Sequence, residues 1–377
     1  MFTTKQKTII VSVINDLATD QRVQRSCSVL MENGFTVILV GRELKNSSSV
    51  SHLPYRTKRF KMLFTQGPFF YLFFNLRLYF FLMSEKTDAL FSNDLDTLWA
   101  NFRASRIKNI PLIYDSHEIF CEVPELQKTP MKKRIWERLE QRIIPQLKHC
   151  ITVNQSIADH FKKKYGVSFS VVRNIPEQFK EFKPKTRQEL GFPSDKKILI
   201  LQGAGINIDR GAEELVQAME YVNDAHLFII GGGDVFEKLK KMVSQLNLTD
   251  KITIINKLPK TELLNYTVNS DIGISIDKDT NLNYHFSLPN KIFDYIQAGL
   301  PIFASNLPEI KNLIDRYNIG YIIDDHNPKK IAEKLNEMLN SAELKTWKEN
   351  TKKAAAENNW ETEKKQLSVI LETLVKD

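Results

Sequence analysis

Cysteine is nearly absent from this chain: three in 377 residues, at positions 27, 121 and 150, with no two at CxxC spacing. That excludes a disulfide framework and a zinc site of ordinary ligand spacing, and it fits a reducing compartment. A membrane span is missing too. The longest apolar run, GPFFYLFFNLRLYFFLM at 67–83, has 17 residues where a span needs about 20, and Asn75 and Arg77 interrupt it. The opening MFTTKQK is short and polar and leads directly into TIIVSVI, so no signal peptide is expected. No zinc-finger, RRM or helix-turn-helix pattern accompanies the basic charge, which argues against nucleic acid as a partner.

What is present is a globular composition, 42% hydrophobic and 26% charged, on a chain long enough for two cores. The net charge of +8 is unevenly spread. Residues 1–180 carry 27 Lys and Arg against 16 Asp and Glu; the remainder carry 26 against 29. The basic half is either plain solvated surface, or it meets an anionic membrane or an anionic acceptor.

Both halves alternate short β-branched runs with amphipathic stretches. Strands are expected at 8–14, 36–41, 89–93, 111–116, 150–154 and 170–174, then at 197–203, 226–232, 251–256, 271–276, 301–305 and 320–324. Near-continuous apolar strands separated by helices predict parallel sheets covered on both faces, hence an α/β chain of two doubly wound domains. The polar stretch 174–197, with three prolines, is the expected linker. Residues 343–376 read as helix, with Trp347 and Trp360 as apolar anchors. The aromatic run 67–83 predicts a helix that is buried in the first domain or lies on a membrane, with RTKRFK (56–61) against headgroups.

In parallel α/β folds ligands gather at the carboxyl ends of strands, where helix N-termini also point. Several motifs fall there. LQGAGINIDRG (201–211) ends a strand with Gly203 and Gly205 and places Arg210 before a helix; it lacks the third glycine of a dinucleotide fingerprint and the GK[ST] of a Walker loop. IIGGGDVF (229–236) puts Gly231, Gly232 and Gly233 before a helix, which a strand-to-helix turn also explains. SLPNKIFDYIQAGLPI (287–302) is a helix that begins with Asn290 and Lys291, although the dipole disfavours a lysine at that end. Asn290, Lys291 and Asp294 share one face, and Leu288, Ile292 and Ile296 the other, so Lys291 either pairs with Asp294 on the surface or meets an anion. In the first half, YDSHE supplies Asp115, His117 and Glu118. SNDLD supplies Asp94 and Asp96, a triplet read as a helix cap or an acceptor contact in preference to a metal site. NDLATDQRV supplies Asp16, Asp20 and Arg22, for an acceptor or for capping.

Together these motifs, in this order, resemble the retaining glycosyltransferases of family four, across nearly the whole chain. The resemblance implies the GT-B architecture: two Rossmann-like domains facing across a cleft, with a C-terminal helix crossing back to the first. It implies an acceptor-binding domain at 1–176, a nucleotide-sugar domain at 177–345, and helices 346–377 packing on the first domain. SLPNKIFDYIQAGLPI is similar to the family's donor-site helix, with Asp294 in the place of the second glutamate, expected at the donor ribose. Phe286 stands where the first glutamate is usual. Arg210 matches the lysine of the family's basic pair, and Lys291 is expected to supply the charge missing at Ala204 or Gly205. Gly203, Gly205, Gly232, Gly233, Leu288, Pro289 and Asn290 are implied donor contacts. His117 matches the family's histidine, expected against the transferred sugar; Asp16, Asp20, Arg22, Asp94, Asp115 and Glu118 are implied on the acceptor side.

The implied chemistry is transfer of a sugar from a nucleotide diphosphate to a saccharide or lipid-linked saccharide, with retention, no metal and no cofactor. Fixed positive charges and helix N–H donors would stabilise the leaving diphosphate. The basic half and the aromatic run suggest a cytoplasmic protein working at the inner face of the cell membrane, in surface polysaccharide or lipopolysaccharide synthesis. Two rivals bind the same donor: a sugar-nucleotide epimerase, and a non-catalytic sugar-nucleotide or glycan-binding subunit.

Overall fold

The computed structural model describes residues 6–177 and 183–376. Residues 178–182, part of the expected linker, lie outside the described residues. The chain divides into two compact units: residues 1–174 with 361–377, and residues 175–360.

In the first unit the strands are β1 (Thr8–Asp16), β2 (Thr36–Glu43), β3 (Arg56–Lys61), β4 (Ala89–Asn93), β5 (Leu112–Ser116), β6 (His149–Thr152) and β7 (Ser170–Val171). Its longer helices are α1 (Gln21–Glu32), α2 (Pro68–Ser84), α3 (Leu95–Lys108), α4 (Pro130–Ile143) and α5 (Gln155–Tyr165). The seven strands are parallel, in the order β3-β2-β1-β4-β5-β6-β7. Central strands are apolar on both faces: Ile9, Ile10, Val11, Leu90 and Phe91 are fully buried between helical layers. Strand β3 is RTKRFK, which sequence reasoning had taken only as a basic stretch. It is an edge strand with outward-facing cations, a device that discourages edge-to-edge pairing.

In the second unit the strands are β8 (Lys197–Gly203), β9 (Ala225–Gly231), β10 (Ile252–Asn256), β11 (Ile272–Ser275), β12 (Ile302–Ser305) and β13 (Gly320–Ile323), in the order β10-β9-β8-β11-β12-β13, again all parallel. Its longer helices are α6 (Ala212–Ala218), α7 (Phe236–Gln245), α8 (Lys260–Asn269), α9 (Asn290–Gln297), α10 (Pro308–Tyr317), α11 (Pro328–Leu339) and α12 (Leu344–Glu357). Each sheet is a doubly wound Rossmann-like layer.

The tail splits at Asn358–Asn359. Helix α12 stays with the second unit: Trp347 Nε1 donates to Asn318 Oδ1 at 3.1 Å, and Tyr317 Oη donates to Glu357 at 2.7 Å. The last helix, α13 (Trp360–Lys376), belongs from Glu361 onward to the first unit. There Glu363 takes the Arg173 guanidinium at 2.7 Å and Lys364 reaches Glu32 at 3.0 Å. Of the helices expected at 346–377 to pack on the first domain, then, only the last does so. The other buries Trp347, Thr351 and Ala354 in the second unit.

Helix α2 has one face in the core and one exposed. Phe70, Phe74, Leu78 and Leu82 are buried, while Phe69, Leu72, Phe73 and Phe80 are exposed, as are Leu63 and Phe64 in the preceding loop. Its two polar interruptions are structural. Asn75 donates to Asp96 O at 2.7 Å, and Arg77 donates to Lys61 O at 2.6 Å while lying over the Phe60 ring. No helix among the described residues is long and apolar enough to cross a membrane.

Candidate functional site

Each sheet has a switch point where the winding reverses, β1/β4 in the first unit and β8/β11 in the second. Connections leaving the two strands diverge there, which opens a crevice at their carboxyl ends. The charged motifs cluster at these two places.

In the first unit, Asp16 ends β1, Asn93 ends β4 with Asp94 following, and Ser116 ends β5 with His117 following. His117 lies between two carboxylates: Nδ1 is 3.1 Å from Asp94 Oδ2, and Nε2 is 3.3 Å from Asp115 Oδ2. The His117 backbone N–H donates to Asp94 Oδ1 at 2.8 Å. Beneath it Asp115 is gripped by Arg22, whose Nε and Nη2 donate to the two carboxylate oxygens at 3.1 and 2.8 Å while Nη1 reaches Val172 O. Burial works against a charged imidazole, but Asp94 and Asp115 outweigh it and lift His117 to about 10. Burial would raise Asp115; Arg22 and His117 instead hold it well below the usual carboxylate range. At neutral pH His117 is therefore an imidazolium, able to donate hydrogen bonds and unable to accept a proton.

Asp94 stands at the N-cap position of α3 but makes no cap hydrogen bond, because its carboxylate is taken by His117. The capping half of the sequence expectation therefore fails at this residue. Asp96 is buried, with Oδ1 lacking a partner, and burial followed by the Asp94 charge raises its carboxyl well above the usual range. Asp20 does cap a helix: Oδ1 accepts from Val23 N at 3.2 Å, and Oδ2 accepts from Asn15 Nδ2 at 3.0 Å. Asp16 accepts from Ala18 N and from Ser47 Oγ. Glu118 follows His117, and its backbone carbonyl accepts from Ser116 Oγ.

In the second unit the Gly203 and Gly231 turns interlock. Gly232 N donates to Gly203 O at 3.2 Å, and Ile206 N donates to Gly232 O at 2.7 Å. A Cβ on Gly231 would overlap the Gly203 carbonyl, so close backbone approach accounts for that glycine. Gly232 has open space around it, and a Cβ on Gly205 would make only an ordinary contact with the Asn207 side chain. Past the turn, Arg210 Nη1 donates to Asp277 Oδ2 at 2.6 Å, and its guanidinium lies 4.2 Å over the Tyr284 ring. Lys291 Nζ is 3.4 Å from the other Asp277 oxygen.

The lysine at the start of α9 therefore faces an anion, and the anion is Asp277. Asp294, its expected surface partner, accepts from Gln202 Nε2 at 3.2 Å, and the Gln202 amide is oriented by Thr267 Oγ1 at 2.7 Å. Asp277 is fully buried. Burial would raise its carboxyl, but Lys291 and Arg210 outweigh that and hold it low. Burial pulls the Lys291 ammonium down, the like charge of Arg210 adds to this, and Asp277 opposes it. Two cations against one carboxylate leave these three side chains with a net positive charge. Pro289 is the residue before α9, Leu288 is half-buried and Asn290 is exposed at the first turn. Phe286 lies beside His285, ring centroids 4.8 Å apart.

Sequence reasoning missed Asp277 and Tyr284. The polar stretch after β11 was the available signal, but only the β8–β11 pairing makes it face Arg210. Among the described residues no group of three or more His, Cys, Asp or Glu is placed to hold a metal ion.

Comparison with known proteins matches both halves. Residues 21–177 match the model of glycosyltransferase family 4, and residues 182–354 match that of the glycosyl transferases group 1. A curated relative, spore coat protein SA of Bacillus subtilis (strain 168), is 26% identical over 185 residues, covering 46% of this chain and 47% of that protein. The chain thus aligns with about half the length of that relative. Among solved structures, sucrose-phosphate synthase from Thermosynechococcus elongatus superposes with a TM-score of 0.80 at 16% identity, covering 98% of this chain and 99% of that one. WaaG, a glycosyltransferase involved in lipopolysaccharide biosynthesis, gives 0.72 at 14%, covering 96% and 99%. Anabaena HepE in complex with UDP and glucose gives 0.72 at 14%, covering 97% and 100%. These structural likenesses establish the fold; the two family matches, in chain order, establish the kinship. The chain belongs to the group 1 glycosyltransferases and has their GT-B fold.

Proposed function

We propose that this transferase moves a sugar from a nucleotide-diphosphate sugar to a saccharide or lipid-linked saccharide acceptor, with retention of anomeric configuration and without a metal ion. The observation that carries the reading is the convergence of Arg210 and Lys291 on buried Asp277 at the second unit's switch point. In this reading the second unit binds the donor. Arg210 and Lys291 take the diphosphate, with backbone groups of Gly203, Gly205, Gly232 and Gly233 and the helix start at Leu288, Pro289 and Asn290 around it. Asp294 meets the ribose. His117 donates to the transferred sugar, and Asp16, Asp20, Asp94 and Glu118 border the acceptor above the Arg22–Asp115 pair.

The bond from the anomeric carbon to the phosphate oxygen breaks, the acceptor oxygen attacks from the same face, and its proton passes to the leaving phosphate. A His117 held charged at neutral pH fits this route, since no protein base is needed for that proton. The fixed cations act where negative charge develops on the leaving group, in a site already partly dry, so they cost little reorganisation.

The basic first unit and the exposed aromatics of α2 support an acceptor presented at an anionic membrane surface, on its cytoplasmic face, in surface polysaccharide or lipopolysaccharide synthesis. The name of the WaaG neighbour is in keeping with this.

The test is a panel of nucleotide sugars with nucleoside diphosphate release followed with and without membrane extract. Acceptor-dependent release supports transfer. Conversion of the donor without acceptor would instead make the protein an epimerase, and tight donor binding with no turnover would make it a binding subunit.

A further inference from the structure

Asp94 has a backbone conformation of φ 57° and ψ 169°, a region that glycine enters freely and other residues pay strain to occupy. Its position at the head of α3 offers an aspartate an easy reward, a hydrogen bond to the first helical N–H groups, and it does not take it. Instead the backbone N–H donates to Asp115 O at 2.8 Å, and the carboxylate takes the His117 backbone N–H on one oxygen and faces Nδ1 at 3.1 Å on the other. Every one of these bonds joins the head of α3 to the end of β5. A glycine would satisfy the backbone at this point; only a carboxylate orients the ring.

The other ring nitrogen is in a different situation. Nε2 is buried and makes no directed hydrogen bond: the nearby Asp115 Oδ2 is already engaged by Arg22 Nε. One side of the imidazole is thus held by a close pair with Asp94, and the other faces, at 3.3 Å, a carboxylate oxygen that it shares with Arg22.

We propose that Asp94 is a positioning residue: it holds the His117 ring by Nδ1, in a strained conformation kept for that purpose, and so fixes the orientation and charge of the ring for a ligand oxygen. The proposal rests on the reading of His117 as a contact to the transferred sugar. The charged groups around the ring are Asp94 and Asp96 from the head of α3, Asp115 from β5 with Arg22 of α1 behind it, and Glu118. Removing the Asp94 charge removes the leading support for the charged ring, and Asp115, already shared with Arg22, cannot replace it.

The experiment follows the His117 ring by 15N-resolved NMR in the full chain, its signal identified as the one missing from His117→Gln, in wild type, Asp94→Asn and Asp94→Gly. The expected result is a wild-type ring that stays charged well into alkaline pH and a midpoint lower by about one pH unit or more in both variants. Asp94→Gly, free of the strain, is expected to melt above Asp94→Asn, so at least one variant remains folded. Transfer should fall about tenfold or more in kcat in both, with donor KM little changed, and Asp94→Asn should add nothing on the His117→Gln background. An unmoved His117 titration overturns the positioning role. A lowered titration with transfer unaffected upholds the positioning and overturns the sugar-contact reading.

Discussion

Asp277 bridges Arg210 and Lys291: its Oδ2 lies 2.6 Å from Arg210 Nη1 and its Oδ1 3.4 Å from Lys291 Nζ. The three side chains come from a loop after β8, a loop after β11 and the first turn of α9. A carboxylate with no exposure thus holds two cations that would otherwise repel each other.

Removing either cation tests the donor reading. Lys291→Ala leaves the Arg210–Asp277 pair intact, so its melting point should change little while kcat falls about 10²–10³-fold, the usual loss for one electrostatic donor to a leaving group. Arg210→Ala strips Asp277 of its closer partner and should also destabilise the fold by about 3–5 kcal/mol. Steady-state nucleoside diphosphate release with thermal melts measures both. Full activity in Lys291→Ala would falsify its assignment to the diphosphate.

Asp277→Asn should make donor affinity sensitive to pH. Burial and Arg210 then lower the Lys291 ammonium unopposed, so it loses its proton sooner as pH rises. Donor KM should begin to climb at a lower pH in the variant than in wild type as alkali is added. Adding Lys291→Arg should flatten the profile again, since a guanidinium does not titrate there.

The carboxylate clamp around His117 sets a pH window for stability. Its folded value, about 10, lies above the ordinary histidine value of about 6.5. The stabilisation is therefore complete below the unfolded value and is lost as pH rises through the folded one. Asp115 has the opposite sign: its contribution is present above the unfolded carboxylate value and disappears as acid protonates it. Urea midpoints of wild type and His117→Gln should differ most in mildly acidic solution, below about pH 6.5, and converge toward about pH 10. A constant gap across that range contradicts the clamp.

Gly211 precedes α6 at φ 74°, and a Cβ there would run into the Ile276 carbonyl, backbone that cannot move aside. Gly211→Ala should cost about 3 kcal/mol or more from strain and overlap together. Gly205→Ala, whose Cβ would make only an ordinary contact with the Asn207 side chain, should melt close to wild type. Equal melting of the two variants would count against this account of the turn.

Exposed α2 aromatics should matter for lipid and little for folding. Phe69→Ser with Phe73→Ser should lower co-sedimentation with anionic vesicles several-fold and leave the melting point nearly unchanged, since both rings are already solvent-facing. Vesicle binding equal to wild type removes this face as the contact.

Much of the fold was legible because parallel strands buried on both faces are written as apolar runs. TIIVSVI, KILILQG and HLFIIGG announce themselves that way, and each is a strand. RTKRFK did not, because an edge strand has a solvent face and carries charge like any loop. At the site, glycine turns and the odd lysine were visible; their partners were not. Nothing in the spacing of Lys291 and Asp294 says that each turns to a different element, the first to Asp277 and the second to Gln202.

By itself the sequence determined the strand and helix alternation and the two-unit plan, since hydrophobic period, glycine and charge are local properties; the kind of chemistry was legible only through the likeness of its motifs to a family. Tertiary structure alone decided which charges meet. Asp277 joins Arg210 only because β11 pairs with β8, and Asp94 orients His117 only because β4 pairs with β5. Strand order is set by how helical layers pack over the whole sheet, and the protonation of His117 and Lys291 follows from the burial and neighbours that this packing creates.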